Sequence, residues 1–519
     1  MRKPHLLLLL LAASLLAAVW AVGTSSRAPR SETPPGCPAL AGEVRDADGP
    51  VAGARVRVKG EGDSVLADAV GRFQLPWPAD GGDQPRRSPG RVTAWKEGYF
   101  IGGAAVGRLP LRVSLTPLPA DDNEHYAWVD PAPDPRRPQN CGNCHAEIYR
   151  EWAASGHARA ATGKHFLNLY DGSDWDGEPG AGWSLAGEHP FGKGVCSACH
   201  APTMPFDAQT YFDIRNAKGV AAQGVHCDYC HKVRGVSAGT IGLTHGRFNL
   251  ELLRPREGQI FFGPLDDVDR GEDACSPLYH DSRYCASCHE GVVFGVPVYT
   301  TYGEWQESQA RREGKHCQTC HMAPTGRMAN LAPGKGGIRR DPRTLGNHFF
   351  FRGGKEEMLR ECLKVSASVH RERGELRADV EVRAEGAGHR VPTGYIDRHL
   401  LLVVEGLDGQ GRPAAARSGP RLPPAAGKSL AGSRGRLYGR LLTDFDGISP
   451  APFWRSDGTV QDTRLTVGKP DRSAYVFRTG VEAVRVRLIY RRFWQQVAEV
   501  KKWPDNETVV FEQVFRARR

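Results

Sequence analysis

Hydrophobic and polar positions alternate in two separate stretches of the chain. In Ala54-Arg55-Val56-Arg57-Val58-Lys59 small or apolar residues alternate with basic ones, and Gly/Asp/Pro turns bound the run. Far downstream, Leu376, Ala378, Val380, Val382 and Ala384 alternate with Arg377, Asp379, Glu381 and Arg383, and Val484, Val486, Leu488 and Tyr490 repeat the pattern. Period-two alternation predicts strands with one buried face. Leu400–Val404 is a continuous apolar run and predicts a strand buried on both faces. The chain is therefore expected to begin and end in β-sandwiches, at 38–118 and 358–519.

The stretch between them, 141–357, has no such period, and a Pro-rich segment at 119–140 leads into it. Gly 61 and Pro 37 in 519 residues imply many turns and long irregular connections. At about 150 residues per domain, the length suggests roughly three domains. Arg2 and Lys3 precede an apolar stretch from Leu6 to Val19, and Ala21-Val22-Gly23 offers small residues for cleavage. This reads as an export signal at 1–23, with a Ser/Pro linker at 24–37. Left uncleaved, it would serve as an anchor. The expected location is the periplasm or cell surface of a bacterium.

Cysteine usage carries the chemistry. Ten of the 13 cysteines fall in five CxxCH motifs: Cys141–Cys144–His145, Cys196–Cys199–His200, Cys227–Cys230–His231, Cys285–Cys288–His289 and Cys317–Cys320–His321. Two thiols three positions apart on a helical turn reach the two vinyl groups on one edge of a haem. The adjoining histidine then sits under the iron as the proximal ligand. Zinc tolerates CxxC pairs but gives no reason for a histidine after every second cysteine. Five covalently bound c-type haems are the expected cofactors, and attachment outside the cytoplasm agrees with the leader. Cys37, Cys275 and Cys362 remain, and in an oxidising compartment two of them could pair.

The motif region echoes itself. Gly-x-His-Cys-x-x-Cys-His occurs at His226 and again at His316, and Tyr149-x-Glu151-Trp152-x-x-Ser155 matches Tyr302-x-Glu304-Trp305-x-x-Ser308. Each of the latter follows a CxxCH and is expected on a helix.

Two resemblances add to this. GEVRDADGPVAGARVRV (Gly42–Val58) with DAVGRFQL (Asp68–Leu75) resembles the carboxypeptidase-regulatory-like β-sandwich, which implies a structural or interaction module. CGNCHAEIYREWAASGHARAA (Cys141–Ala161), CASCHEGVVFGVPVYTTYGEW (Cys285–Trp305) and CQTCHM (Cys317–Met322) resemble the multihaem cytochrome c-554 family. That resemblance covers about 210 residues. It implies closely packed haems, mostly with two histidine ligands per iron, in a haem-packed, mainly α and irregular core. The expected fold class is multidomain, with that core flanked by the two β-sandwiches.

Twelve histidines lie outside the motifs and the leader, enough for five distal ligands. A single helix running on from His145 would carry His157 about 18 Å along its axis, too far to close the first haem, so His157 is expected to serve a neighbouring one. The family resemblance supports that assignment. His348, ahead of Gly353-Gly354, matches a ligand-like segment of similar proteins. His389 lies in a tight turn, Gly388 to Gly394, and as a ligand would dock the C-terminal sandwich on the core. His245 is the fourth candidate and His226 the fifth, with His280 and His316 as rivals.

The formal charge of +10 does not signal nucleic acid, because Lys and Arg are scattered and each haem would bring two propionates. No segment after the leader approaches 18 consecutive apolar residues. The sequence therefore predicts an exported electron carrier with a chain of bis-histidine haems. Its expected partners are other redox proteins or a membrane quinone-linked reductase or oxidase. The alternative is an oxidoreductase acting on a small nitrogen or sulfur species at one five-coordinate haem. All five motifs end in His, so none is marked as the catalytic one.

Overall fold

The computed structural model describes residues 39–76, 90–190, 195–205, 213–351 and 355–517. The expected leader, its linker and Cys37 lie outside the described residues.

Near the N-terminus, Ala39–Arg45 pairs antiparallel with Arg72–Pro76 and parallel with Leu111–Ser114. A second sheet runs in the order Ser64–Leu66, Arg55–Val58, Arg91–Trp95, Gly102–Ala105. Val56 and Val58 point inward while Arg55 and Arg57 face out, as the alternation predicts. Leu40, Val44, Phe73, Val92 and Leu111 fill the core between the two sheets. The same outward arginine meets the middle of the chain: Arg57 pairs with Asp266 at 2.9 Å, Lys59 with Asp269 at 2.6 Å and Arg91 with Asp269 at 2.6 Å.

From 141 to 351 the helices are short, none longer than eight residues among those described. Three two-stranded ribbons join them: Val233–Val236 with Leu250–Leu252, Phe261–Gly263 with Asp273–Cys275, and Glu290–Val293 with Val296–Thr300. The mainly α and irregular core expected here is mostly irregular, with ribbons between short helices. Its apolar side chains are divided between small packed clusters and the wall of a shared cavity. The helix after the first motif ends early as well. It spans Ala146–Ala153, and Ser155 stops it by accepting the His157 N–H on its hydroxyl, so His157 lies in a turn.

The C-terminal part holds two sheets. One is ordered Leu363–Glu372, Glu375–Ala384, Asp471–Phe477, Ala416–Ser418. The other is ordered Pro413–Ala414, His399–Asp408, Val481–Arg491, Glu507–Arg516, with Gly435–Tyr438 also on His399–Asp408. The run Leu400–Val404 is buried throughout, for a reason visible in its two faces. Leu400, Leu402 and Val404 fill the core between the sheets, while Leu401 and Val403 pack on Leu169, Tyr170, Ala201 and Met204 of the middle region. The strand that completes one layer is also the floor of the next.

Among the described residues no helix is long and apolar enough to cross a membrane. Cys275 and Cys362 are both free thiols and do not pair with each other.

Candidate functional site

All ten motif cysteines and all five motif histidines line one cavity of about 2300 Å³. A pocket for one small ligand holds about 300 to 1000 Å³, so this one has room for several large groups.

Each motif begins on a short helical turn, and four of the five histidines are oriented in one way. Nδ1 of His145 lies 2.9 Å from the carbonyl oxygen of Leu331, that of His200 2.8 Å from Ala160, that of His231 2.5 Å from Phe262 and that of His321 2.9 Å from Phe350. A backbone carbonyl at Nδ1 fixes the tautomer and leaves Nε2 as the metal-binding nitrogen. Burial lowers the pKa of all five, His289 down to about 3, so each ring is held neutral, the state a ligand needs.

The cysteines neighbour one another in pairs: Cys141 with Cys227, Cys199 with Cys288 and Cys285 with Cys317. These pairs join motifs one and three, two and four, and four and five. The buried Tyr229 lies among Cys230, Cys288 and Cys199, which ties the third motif to the second and fourth. The five motifs form one connected cluster.

Two of the expected distal histidines face a motif histidine directly. The rings of His157 and His289 have centres 6.1 Å apart, and those of His321 and His389 are 6.3 Å apart at an interplanar angle of 19°. Two imidazoles on opposite sides of one metal, with bonds of about 2 Å, place their ring centres roughly 6 Å apart. His157 thus reaches the fourth motif from the strap after the first. His348 is buried, with its pKa pushed down to about 3 by that burial and further by His231 and His145, and its Nδ1 has no partner.

His245 sits on a peptide braced against the second motif: a Cβ at Gly246 would meet the Ala198 carbonyl at 2.1 Å. Its ring lies over Gly291, where a Cβ would come within 3.0 Å. Both positions need glycine for that close approach.

His226 is placed differently from the expectation. Its Nδ1 accepts the Tyr229 N–H at 3.4 Å and its Nε2 lies 3.2 Å from the Thr203 hydroxyl. Both nitrogens are engaged, so the ring caps the third motif's helix and has none left for a metal. His316 has the same place before the fifth motif, its Nδ1 accepting the Ser282 N–H at 3.1 Å. His280 is exposed.

One network went unseen in the sequence. Glu304 accepts from Arg464 at 2.6 Å, from the Arg390 N–H at 3.1 Å and from the Thr393 hydroxyl at 3.0 Å. The repeated Tyr-x-Glu-Trp pattern marks the residue, but not its partners 86 and more residues downstream.

The residues present fit haem at each motif: paired thiols, a neutral imidazole whose tautomer is fixed at four of the five, and a common apolar cavity. No family model matches the chain, and no curated protein matches it. Among solved structures, the chain is similar to a penta-heme cytochrome c552 from Thermochromatium tepidum, with a TM-score of 0.52 at 23% identity. That match covers 72% of this chain and 97% of the other. A second match, the Fcho1 Mu homology domain from Danio rerio with bound Eps15 peptide, has a TM-score of 0.12 at 16% identity. It covers 25% of this chain and 38% of the other and supports no argument. Over about 72% of the chain the fold is similar to that of this penta-heme cytochrome.

Proposed function

We propose that the chain is an exported c-type cytochrome with five haems that transfers electrons along them. The observation that carries this reading is that all ten attachment cysteines and all five motif histidines line a single cavity. When bound, the haems would supply one-electron redox chemistry. The chain's own residues do the rest. Cys141, Cys144, Cys196, Cys199, Cys227, Cys230, Cys285, Cys288, Cys317 and Cys320 would anchor the groups, and His145, His200, His231, His289 and His321 would bind them from one side. His157, His348, His389 and His245 would bind from the other. Partners would be other redox proteins or a membrane quinone-linked reductase or oxidase.

A second reading rests on one observation. With both nitrogens of His226 engaged, four distal candidates face five motif histidines. The chain would then be an oxidoreductase acting on a small nitrogen or sulfur species at one five-coordinate haem.

The test is intact mass with acid-acetone extraction, followed by carbon monoxide titration of the dithionite-reduced protein. The carrier reading expects five covalent haems, negligible carbon monoxide binding and fast electron exchange with small redox proteins. Three or fewer haems, or stoichiometric zinc, would overturn it. Carbon monoxide binding to about one fifth of the haem, with turnover of nitrite, hydroxylamine or tetrathionate, selects the second reading.

A further inference from the structure

The sequence echo has a spatial counterpart, and it assigns a task to two carboxylates. Motifs one and three form one unit, motifs four and five another. In each, the first cysteines of the two motifs are neighbours: Cys141 with Cys227, Cys285 with Cys317. In each, a tryptophan after the first motif donates its indole N–H to the carbonyl two residues before the second. Trp152 reaches Val225 at 2.9 Å and Trp305 reaches Lys315 at 2.8 Å. The neighbouring Glu then does the same thing twice. Glu151 accepts the backbone N–H of His348 at 2.8 Å, and Glu304 accepts that of Arg390, next to His389, at 3.1 Å.

The two segments that carry His348 and His389 have no sequence in common and belong to different parts of the fold. That both carboxylates end on them is a second, independent match between the units. His389 faces His321, the second motif of its unit, so by the same correspondence His348 belongs with His231, the second motif of the other.

We propose that Glu151 and Glu304 are positioning residues, each fixing the peptide that presents a distal histidine to the second haem of its unit, His348 toward His231 and His389 toward His321. This rests on reading the motifs as haem sites. A charged acceptor holds a backbone N–H more firmly than a neutral one. A ligand displaced by a fraction of an ångström loses bond strength, so such outer partners tune the metal site without touching it. The units differ in one respect. Glu304 also holds Arg464 of the C-terminal sheets, with both side chains under 10% exposed, so it anchors its ligand turn to a second layer.

The experiment uses the full-length holoprotein with Glu151→Leu, Glu151→Gln, Glu151→Asp and Glu304→Leu, read by intact mass, electron paramagnetic resonance and redox titration. Every variant is expected to keep five haems. Each Leu variant should turn about one fifth of the low-spin signal high-spin, or shift one low-spin signal and one redox wave, a different one for each site. Glu151→Gln keeps an acceptor for the His348 N–H and should restore the signal. Glu151→Asp retracts the acceptor by one methylene and should shift the same signal less than Leu does, and it covers the case in which Leu does not accumulate. Wild-type spectra and potentials in the Leu or Asp variants overturn the inference, as does a Gln variant no better than Leu. Absence of five haems in the wild type overturns the reading of the motifs instead, and intact mass separates the two failures.

Discussion

A histidine can hold a metal only through a ring nitrogen that the protein has not already taken, so hydrogen bonds sort the candidates here more sharply than position does. At four motif histidines the carbonyl at Nδ1 leaves Nε2 for the cavity. At His226 a backbone N–H and a threonine hydroxyl take both. The two cases predict opposite behaviour. His157→Ala should convert about one fifth of the haem from low to high spin with the haem count unchanged. His226→Ala should leave the spin state alone and cost about 1 to 2 kcal/mol of stability through the lost cap and the unpartnered Thr203 hydroxyl. Absorption and paramagnetic resonance spectra of the two holoproteins, with denaturant unfolding of the second, decide this. A wild-type spectrum for His157→Ala would break the pairing with His289. The sequence made the motif residues legible because their geometry is set within five consecutive positions. It could not separate His226 from the other candidates, because what occupies its Nε2 is Thr203, 23 residues upstream.

Elements were legible where burial is periodic and local. The strands at Arg55–Val58 and Glu375–Ala384 follow their alternation residue by residue, and Val481–Arg491 follows it from Val484 to Leu488, beyond which Ile489 and Arg491 are buried as well. The unbroken run Leu400–Val404 correctly implied two covered faces, although nothing in it says what covers them. The chain does not run on as one helix to His157, because Ser155 and Gly156 redirect it, and His157 comes beside His289 from a turn. The second sheet is held on the middle region by a tie of another kind. Lys501, at the end of helix Gln495–Val500, is fully buried and donates to the carbonyls of Asn168 at 2.7 Å, Ser173 at 3.1 Å and Trp183 at 2.8 Å. Methionine has nearly the same shape and no donor. Lys501→Met leaves three carbonyls without their buried partner, at about 1 to 3 kcal/mol for each one that water does not reach. A loss of about 3 kcal/mol or more in denaturant unfolding is expected. A loss below about 1 kcal/mol would mean that apolar contact alone holds the sheet in place.

On the scale of the molecule, sheets close the cavity at both ends, and the two closures differ in chemistry. The C-terminal sheets are joined to the middle by a continuous apolar core that includes Leu401, Val403, Trp454 and Trp494. The N-terminal sheets are joined by a small apolar contact, Phe100 and Leu118 against Leu253, Ile260, Phe262 and Ala274, and by a cluster of charge. Asp266, Asp267 and Asp269, on the turn between Phe261–Gly263 and Asp273–Cys275, take Arg57, the Gly60 N–H, Lys59 and Arg91, and Asp267 also takes Arg340 at 2.7 Å. Lys59 itself lines the cavity. Lys59 is 16% exposed and Asp269 only 2%, so this pair is shielded from solvent and salt should weaken it little. Removing the carboxylates leaves Lys59 and Arg57 half-buried without counter-charge, a cost of up to about 3 kcal/mol. The double variant Asp266→Asn, Asp269→Asn should therefore undock the N-terminal sheets. Limited proteolysis within 119–140 is expected to speed up at least about tenfold, since roughly 1.4 kcal/mol of lost docking already gives that factor. The spectra and the haem count should stay as in the wild type, because no motif or distal histidine comes from those sheets. A change in a haem signal would show instead that Lys59 and its aspartate shape the wall of the first motif's site. The N-terminal sheets would then be part of the electron path's insulation and not an appendage to it.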